Sequence, residues 1–149
     1  MGPRVLALDL GEKRIGLAVS DPQRLLASGR GIYRRRGLEE DLEYLAKLVR
    51  EEEVEEIVLG LPRNMDGSLG EQAKRALEFG RLLEERLGLK VEFFDERLTT
   101  AEAERVLLEV DLSRRRRKEV RDELAAVLIL QGYLDYRARA GAGEKEDER

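Results

Sequence analysis

Residues 5–10, Val-Leu-Ala-Leu-Asp-Leu, are apolar at every position but one. A run that is apolar on both faces suits a central strand covered by helices on either side. Asp9 interrupts this run near its end. An unpaired carboxylate in so dry a place costs free energy, so Asp9 needs a hydrogen-bond donor, a cation or a metal. Capping of the turn that follows is the plainer role for it. Gly11 and Gly16 bracket that turn, and Ile15 to Ser20 reads as a second strand, giving a hairpin with Asp9 on its inner strand.

The rest of the chain alternates strand and helix patterns. Leu26 to Tyr33 reads as a third strand ending at Arg34, Arg35 and Arg36. Leu38, Leu42, Leu45, Leu48 and Val49 recur at helical spacing, which predicts an amphipathic helix from Leu38 to Glu53. Ile57 to Leu59 is a short buried strand stopped by Gly60-Leu61-Pro62, and the polar stretch Arg63 to Ser68 is a loop. A second helix is expected from Gly70 to Leu87, closed by Gly88. Val91 to Phe94 forms the last strand, ending at Asp95-Glu96-Arg97-Leu98-Thr99-Thr100. A third helix follows Thr100, with Val106, Leu107 and Val110 on its apolar side. The run Ser113 to Lys118 interrupts the pattern, and a fourth helix from Val120 carries Leu124, Val127, Leu128 and Tyr133 to about Arg139. Two hairpin strands and a third, then alternating helices and strands, predict an α/β fold: a five-stranded mixed sheet flanked by helices on both faces. Residues 1–140 are expected to form one domain, with 141–149 a charged, disordered tail.

Composition excludes more chemistry than it suggests. The 149 residues contain no Cys and no His. Thiol nucleophiles, disulfides, the usual zinc ligand sets and histidine general bases are absent with them. Carboxylates, Lys, Arg, Tyr and Ser/Thr remain. No apolar run approaches the roughly 20 residues that span a bilayer, and the N-terminus lacks a long apolar signal region, so a cytoplasmic protein with no membrane partner is expected. Charged residues make up 40% of the chain while the net charge is only -4. That balance fits a heat-adapted protein, and it means that any nucleic-acid contact must rest on local basic clusters.

Three carboxylates fall on three elements: Asp9 on the first strand, Glu96 or Asp95 at the end of the last strand, and Asp122 near the start of the last helix. Asp122 precedes Ala125, Ala126, Ile129 and Tyr133 at helical intervals, so it lies on or beside an apolar face; taken alone it reads first as an exposed residue favourable to the helix dipole. An oxygen-only set with no His suits hard cations such as Mg2+ or Mn2+.

Four blocks carry a resemblance. They are Asp9-Leu10-Gly11-Glu12-Lys13-Arg14-Ile15-Gly16, residues 60–68 (Gly-Leu-Pro-Arg-Asn-Met-Asp-Gly-Ser), Asp95-Glu96-Arg97-Leu98-Thr99-Thr100, and residues 122–130 (Asp-Glu-Leu-Ala-Ala-Val-Leu-Ile-Leu). With these in order, the chain resembles the YqgF/RuvX family, a branch of the RNase H-like superfamily described both as Holliday junction resolvases and as pre-16S rRNA nucleases. The resemblance implies that Asp9, Glu96 and Asp122 are catalytic residues that hold one or two Mg2+ or Mn2+ ions, and that the reaction is metal-assisted phosphodiester hydrolysis. It implies as partner an rRNA precursor or branched DNA, the former in ribosome biogenesis and the latter in recombination, and a monomer or weak homodimer. Lys13, Arg14, Arg63 and Arg97 adjoin the acidic strand ends and are candidates for binding phosphates, with Asn64 and Thr99 as hydrogen-bond donors. Arg114, Arg115, Arg116 and Arg117 read as a nucleic-acid contact or as a solvated linker. Two other classes fit parts of the chain. The hairpin of Asp9 to Gly16 also suits the phosphate cradle of actin-like sugar kinases and chaperone ATPases, although these need two such domains. A non-catalytic RNA-binding module would share the basic residues.

Overall fold

The computed structural model describes residues 4–98 and 114–147; for 114–122 and 141–147 it describes the backbone path alone. The expected helix after Thr100 therefore lies outside the described residues.

The apolar run becomes β1 (Arg4–Leu10), paired antiparallel with β2 (Arg14–Ser20), which pairs antiparallel with β3 (Ala27–Arg34). On its other side β1 pairs in parallel with β4 (Val54–Leu61), and β4 with β5 (Lys90–Asp95). The sheet order is β3-β2-β1-β4-β5, so β1 is central, as its two-sided apolar pattern requires. Helix α1 (Leu38–Glu51) connects β3 to β4, and α2 (Glu71–Leu87) connects β4 to β5. Gly88 ends α2 in the left-handed conformation, φ 66°, and its N–H bonds the carbonyl of Glu84 at 2.9 Å. The final helix, α3, runs from Arg114 to Asp147.

Alternation along the strands splits the core in two. Leu6, Leu8, Ile15, Leu17, Ile57 and Leu59 face α1 and α2, where they meet Leu42, Leu45, Phe79 and Leu83. Val5, Ala7, Ala18, Val58 and Phe94 face α3, where they meet Ala126, Ile129, Leu130 and Tyr133. Asp9 continues the second set, so its side chain belongs to the α3 face.

Several boundaries differ from expectation. β4 begins at Val54 rather than Ile57. Glu55 and Glu56 hide its start, because Glu56 is buried beneath Tyr133, whose hydroxyl donates to its carboxylate. α3 begins at Arg114 rather than Val120, so the basic run forms its first turns instead of a linker; Arg and Lys are good helix formers. The helix also continues beyond Arg139 across 141–147, where Gly141 and Gly143 weaken it but no Pro stops it.

Candidate active site

The parallel strands β1, β4 and β5 end on one edge of the sheet. Asp9, one residue from the end of β1, pairs with Gly16 and lies half-buried next to the row of Leu8 and Leu59. Gly60 follows Leu59 on β4 and pairs with Phe94 of β5. Beyond Asp95 the chain makes a single 3-10 turn, Glu96–Leu98, which swings Glu96 back across the sheet. A methyl group on Gly60 would lie 2.5 Å from Glu96 Oε1 and 2.5 Å from Ile129 Cδ1. The missing side chain is thus what lets Glu96 cross β4 and what seats α3 against it. The carboxyl of Glu96 reaches Asp9 and hydrogen-bonds to it.

Electrostatics follow from this position. Burial, and then the negative charges of Asp9 and Asp95, push Glu96 up to about 8, and its hydrogen bond to Asp9 favours the protonated form further. Near neutral pH the two carboxyls therefore share one proton in the hydrogen bond between them.

Asp95 and Glu96 differ in geometry. Asp95 turns away from Asp9 and takes both arms of Arg97: Nε at 3.1 and 3.0 Å, Nη2 at 2.6 Å, with the Arg97 backbone N–H at 2.9 Å. These bonds, the guanidinium's first, hold Asp95 below the usual carboxylate range. The two adjacent acids so have opposite environments, and only Glu96 meets Asp9.

Arg97 also donates to the carbonyl of Met65 at 3.4 Å, tying the strand end to the loop after β4. That loop is internally braced. Asn64 N–H donates to the Ser68 carbonyl at 3.0 Å, Asn64 Nδ2 to Ser68 Oγ at 3.0 Å, and Ser68 N–H to Asp66 Oδ1 at 2.9 Å. Asn64 is therefore a brace of the loop, and Arg63 is exposed with Nη1 3.3 Å from the Gly67 carbonyl. Lys13 is exposed in the β1–β2 turn, and Arg14 opens β2 opposite Arg34 of β3.

Asp122 stands in α3 one turn before Ala126, but its side chain lies outside the described residues, as do those of Arg114, Arg115, Arg116 and Arg117. Thr99 lies wholly outside them. The direction of α3 is fixed further along: Gln131 bonds Ala27 N–H and the Leu25 carbonyl, each at 3.0 Å, and Tyr133 bonds Glu56. Those partners lie at the opposite edge of the sheet from Asp9, so the helix approaches from the Asp9 edge with its N-terminal part. Among the described residues no group of three acids, His or Cys is arranged to hold a metal. Asp9 and Glu96 supply two carboxylates. The signal that sequence reasoning missed is Gly60, legible in the sequence as a glycine ending a buried strand but read only as its stop.

Residues 3–136 match the RuvX family, described as Holliday junction resolvase. The chain is 58% identical over 132 residues, 89% of its own length and 94% of the relative's, to a protein of Syntrophomonas wolfei carrying the name "Putative pre-16S rRNA nuclease". A protein of Moorella thermoacetica with the same name is also 58% identical over 132 residues, with the same coverage. Among solved structures, T. thermophilus RuvC in complex with Holliday junction substrate superposes with a TM-score of 0.60 at 17% identity, over 93% of this chain and 96% of that one. That likeness is one of fold, and it agrees with the RNase H-like sheet described above. By its match along nearly the whole length and its identity to these relatives, the chain belongs to the YqgF/RuvX family.

Proposed function

We propose that the chain is a divalent-metal-dependent nuclease that hydrolyses phosphodiester bonds in the 5'-end processing of pre-16S rRNA, with residues 1–140 as the working domain. The observation that carries this reading is the Asp9–Glu96 pair, two carboxyls brought together across Gly60 at the edge where the parallel strands end. Such a pair is costly without a cation, because the second charge is opposed by burial and by the first. A hard divalent ion relieves both, and the oxygen-only donors fit Mg2+ or Mn2+. Asp9 and Glu96 would hold one or two ions, with Asp122 as the third carboxylate. Bound there, the metal supplies Lewis-acid polarisation of the phosphate and a lowered pKa for the attacking water.

The chain's own residues supply the rest. On loading with a divalent ion, Glu96 would release to solvent the proton that it shares with Asp9, so the site would reach its full negative charge only then. Arg97 exchanges Asp95 for a substrate phosphate, a trade between two bidentate acceptors. Lys13, Arg14 and Arg63 neutralise flanking phosphates, and Asn64, Thr99 and the Arg114 to Arg117 run add further contacts. The test is cleavage of a pre-16S rRNA leader and of a four-way DNA junction, side by side, with Mg2+ or Mn2+. Cutting of the leader alone supports the RNA reading. Cutting of the junction alone replaces it with resolution of branched DNA, and cutting of neither with tight RNA binding replaces it with a non-catalytic module.

A further inference from the structure

The basic stretch Arg34-Arg35-Arg36 lies apart from the carboxylate pair, and the fold gives it a different setting. Arg35 is spent on structure: Nε bonds the buried Asp41 at 2.9 Å, Nη1 bonds the Gly11 carbonyl at 3.0 Å, and the guanidinium lies 5.4 Å from the centre of the Phe79 ring. Arg34 and Arg36 are exposed at the end of β3. Beside them Tyr33 of β3 stacks on Tyr44 of α1, with ring centroids 4.1 Å apart and planes 16° from parallel.

A groove of about 850 Å3 opens between β3 and α1 along this tyrosine pair. Arg34, Arg36, Lys47, Arg50 and Arg86 line it, against Glu40 and Glu43. In a chain of net charge -4 this is a local reversal of sign. Arg86 is held by Glu39 through contacts of 2.7 and 2.8 Å, Tyr33 is anchored on Asp41, and Lys47 lies 3.9 Å from Glu51 in a solvent-exposed pair that a phosphate can displace; Arg36, Lys47 and Arg50 are exposed around a half-exposed Tyr44. An aromatic face ringed by cations is the chemistry that accepts an unpaired base and its flanking phosphates.

The groove is separate from the carboxylate pair yet within reach of it. Tyr33 packs on the α1 and α2 side of the sheet, whereas Asp9 belongs to the α3 side. Ile32, which also lines the groove, sits in the same cross-strand row as Gly16 and Asp9, two strand spacings or roughly 10 Å away. Lys13 stands between them, its carbonyl bonded to the Arg35 N–H at 2.9 Å.

We propose that this groove binds a single-stranded segment of the nucleic-acid substrate, stacking a base on Tyr44 and holding phosphates with Arg36, Lys47 and Arg50. The inference rests on the nucleic-acid reading above and extends it to a second surface, one that selects substrates with an unpaired flank.

The test is fluorescence anisotropy of labelled dodecauridylate with the full chain in EDTA, where no metal-dependent cleavage occurs. Lys47→Glu with Arg50→Glu should weaken binding at least tenfold and lower the slope of log K against log salt by about 1.4, roughly 0.7 for each phosphate no longer neutralised. Tyr44→Ala should weaken it fivefold or more with the slope unchanged, and Tyr44→Phe should bind as the parent does. Binding within twofold of the parent in both the charge-reversed and Tyr44→Ala variants would overturn the proposal. Displacement by polyglutamate as effective as by unlabelled oligonucleotide would overturn it too, assigning the groove to an acidic protein. Cleavage, measured separately with Mn2+, keeps the two readings apart. A chain that binds through the groove but cuts nothing leaves the groove standing and removes the nuclease; one that cuts while the groove variants bind normally does the reverse.

Discussion

Glu96 hydrogen-bonds to Asp9 across β4, over the one position in that strand, Gly60, that has no side chain to block it. With Glu96 raised to about 8 in the folded protein, above the 4.5 of an ordinary Glu, the folded state binds the extra proton between those values. Stability contributed by that proton is full below about 4.5 and is lost as pH rises towards 8. Thermal melts in EDTA should therefore show the parent losing stability over this window, and Glu96→Gln, which keeps the donor and cannot ionise, losing clearly less. Parallel profiles would contradict the pairing.

Gly60→Ala tests the crossing itself. The added methyl meets Glu96 and Ile129 at 2.5 Å, so either the acid or α3 must move. Overpacking of this kind costs about 1–3 kcal/mol. Denaturant melts should register that loss, and the stabilisation given by Mn2+ should fall with it because the two carboxyls no longer converge. An unchanged response to Mn2+ would show that Gly60 does not organise the pair.

Asp95→Asn should behave in the opposite manner. The Asp95–Arg97 pair is partly exposed, and such pairs contribute at most about 1 kcal/mol. Melting should barely change. Arg97, released from its carboxylate, should instead raise affinity for nucleic acid and steepen the salt dependence, read by filter binding over a salt series. A large loss of stability would mean that the pair is structural.

Replacing Arg114 to Arg117 with Gln should weaken nucleic-acid binding and flatten its salt dependence while the fold survives. An unchanged slope would reduce the run to a solvated first turn of α3.

The sequence reveals local period well and long-range approach poorly. Strand β1 is legible because Val5 to Leu10 is apolar on both faces, and the mixed five-stranded sheet follows from the order of hairpin and helix-strand units. β4 reads short because Glu56 is buried under Tyr133, a pairing of residues far apart in the chain that no window can show. Which of Asp95 and Glu96 meets Asp9 stays open in sequence because it depends on a 3-10 turn, which carries no periodic signal. The role of Tyr44 is hidden for the same reason as that of Gly60. Each acts through a neighbour on another element.

The most direct test of the central claim is cleavage of a pre-16S rRNA leader in Mn2+ by the parent and by Asp9→Asn, with metal-free melts of both. The account predicts that Asp9→Asn abolishes cleavage and leaves metal-free stability close to the parent's, since the Asn side-chain oxygen still accepts the hydrogen bond from Glu96 while no buried charge is left on that side chain. Retained cleavage, or a stability loss above about 2 kcal/mol, the scale for breaking a buried hydrogen-bonded charge, would contradict it and make Asp9 a structural cap.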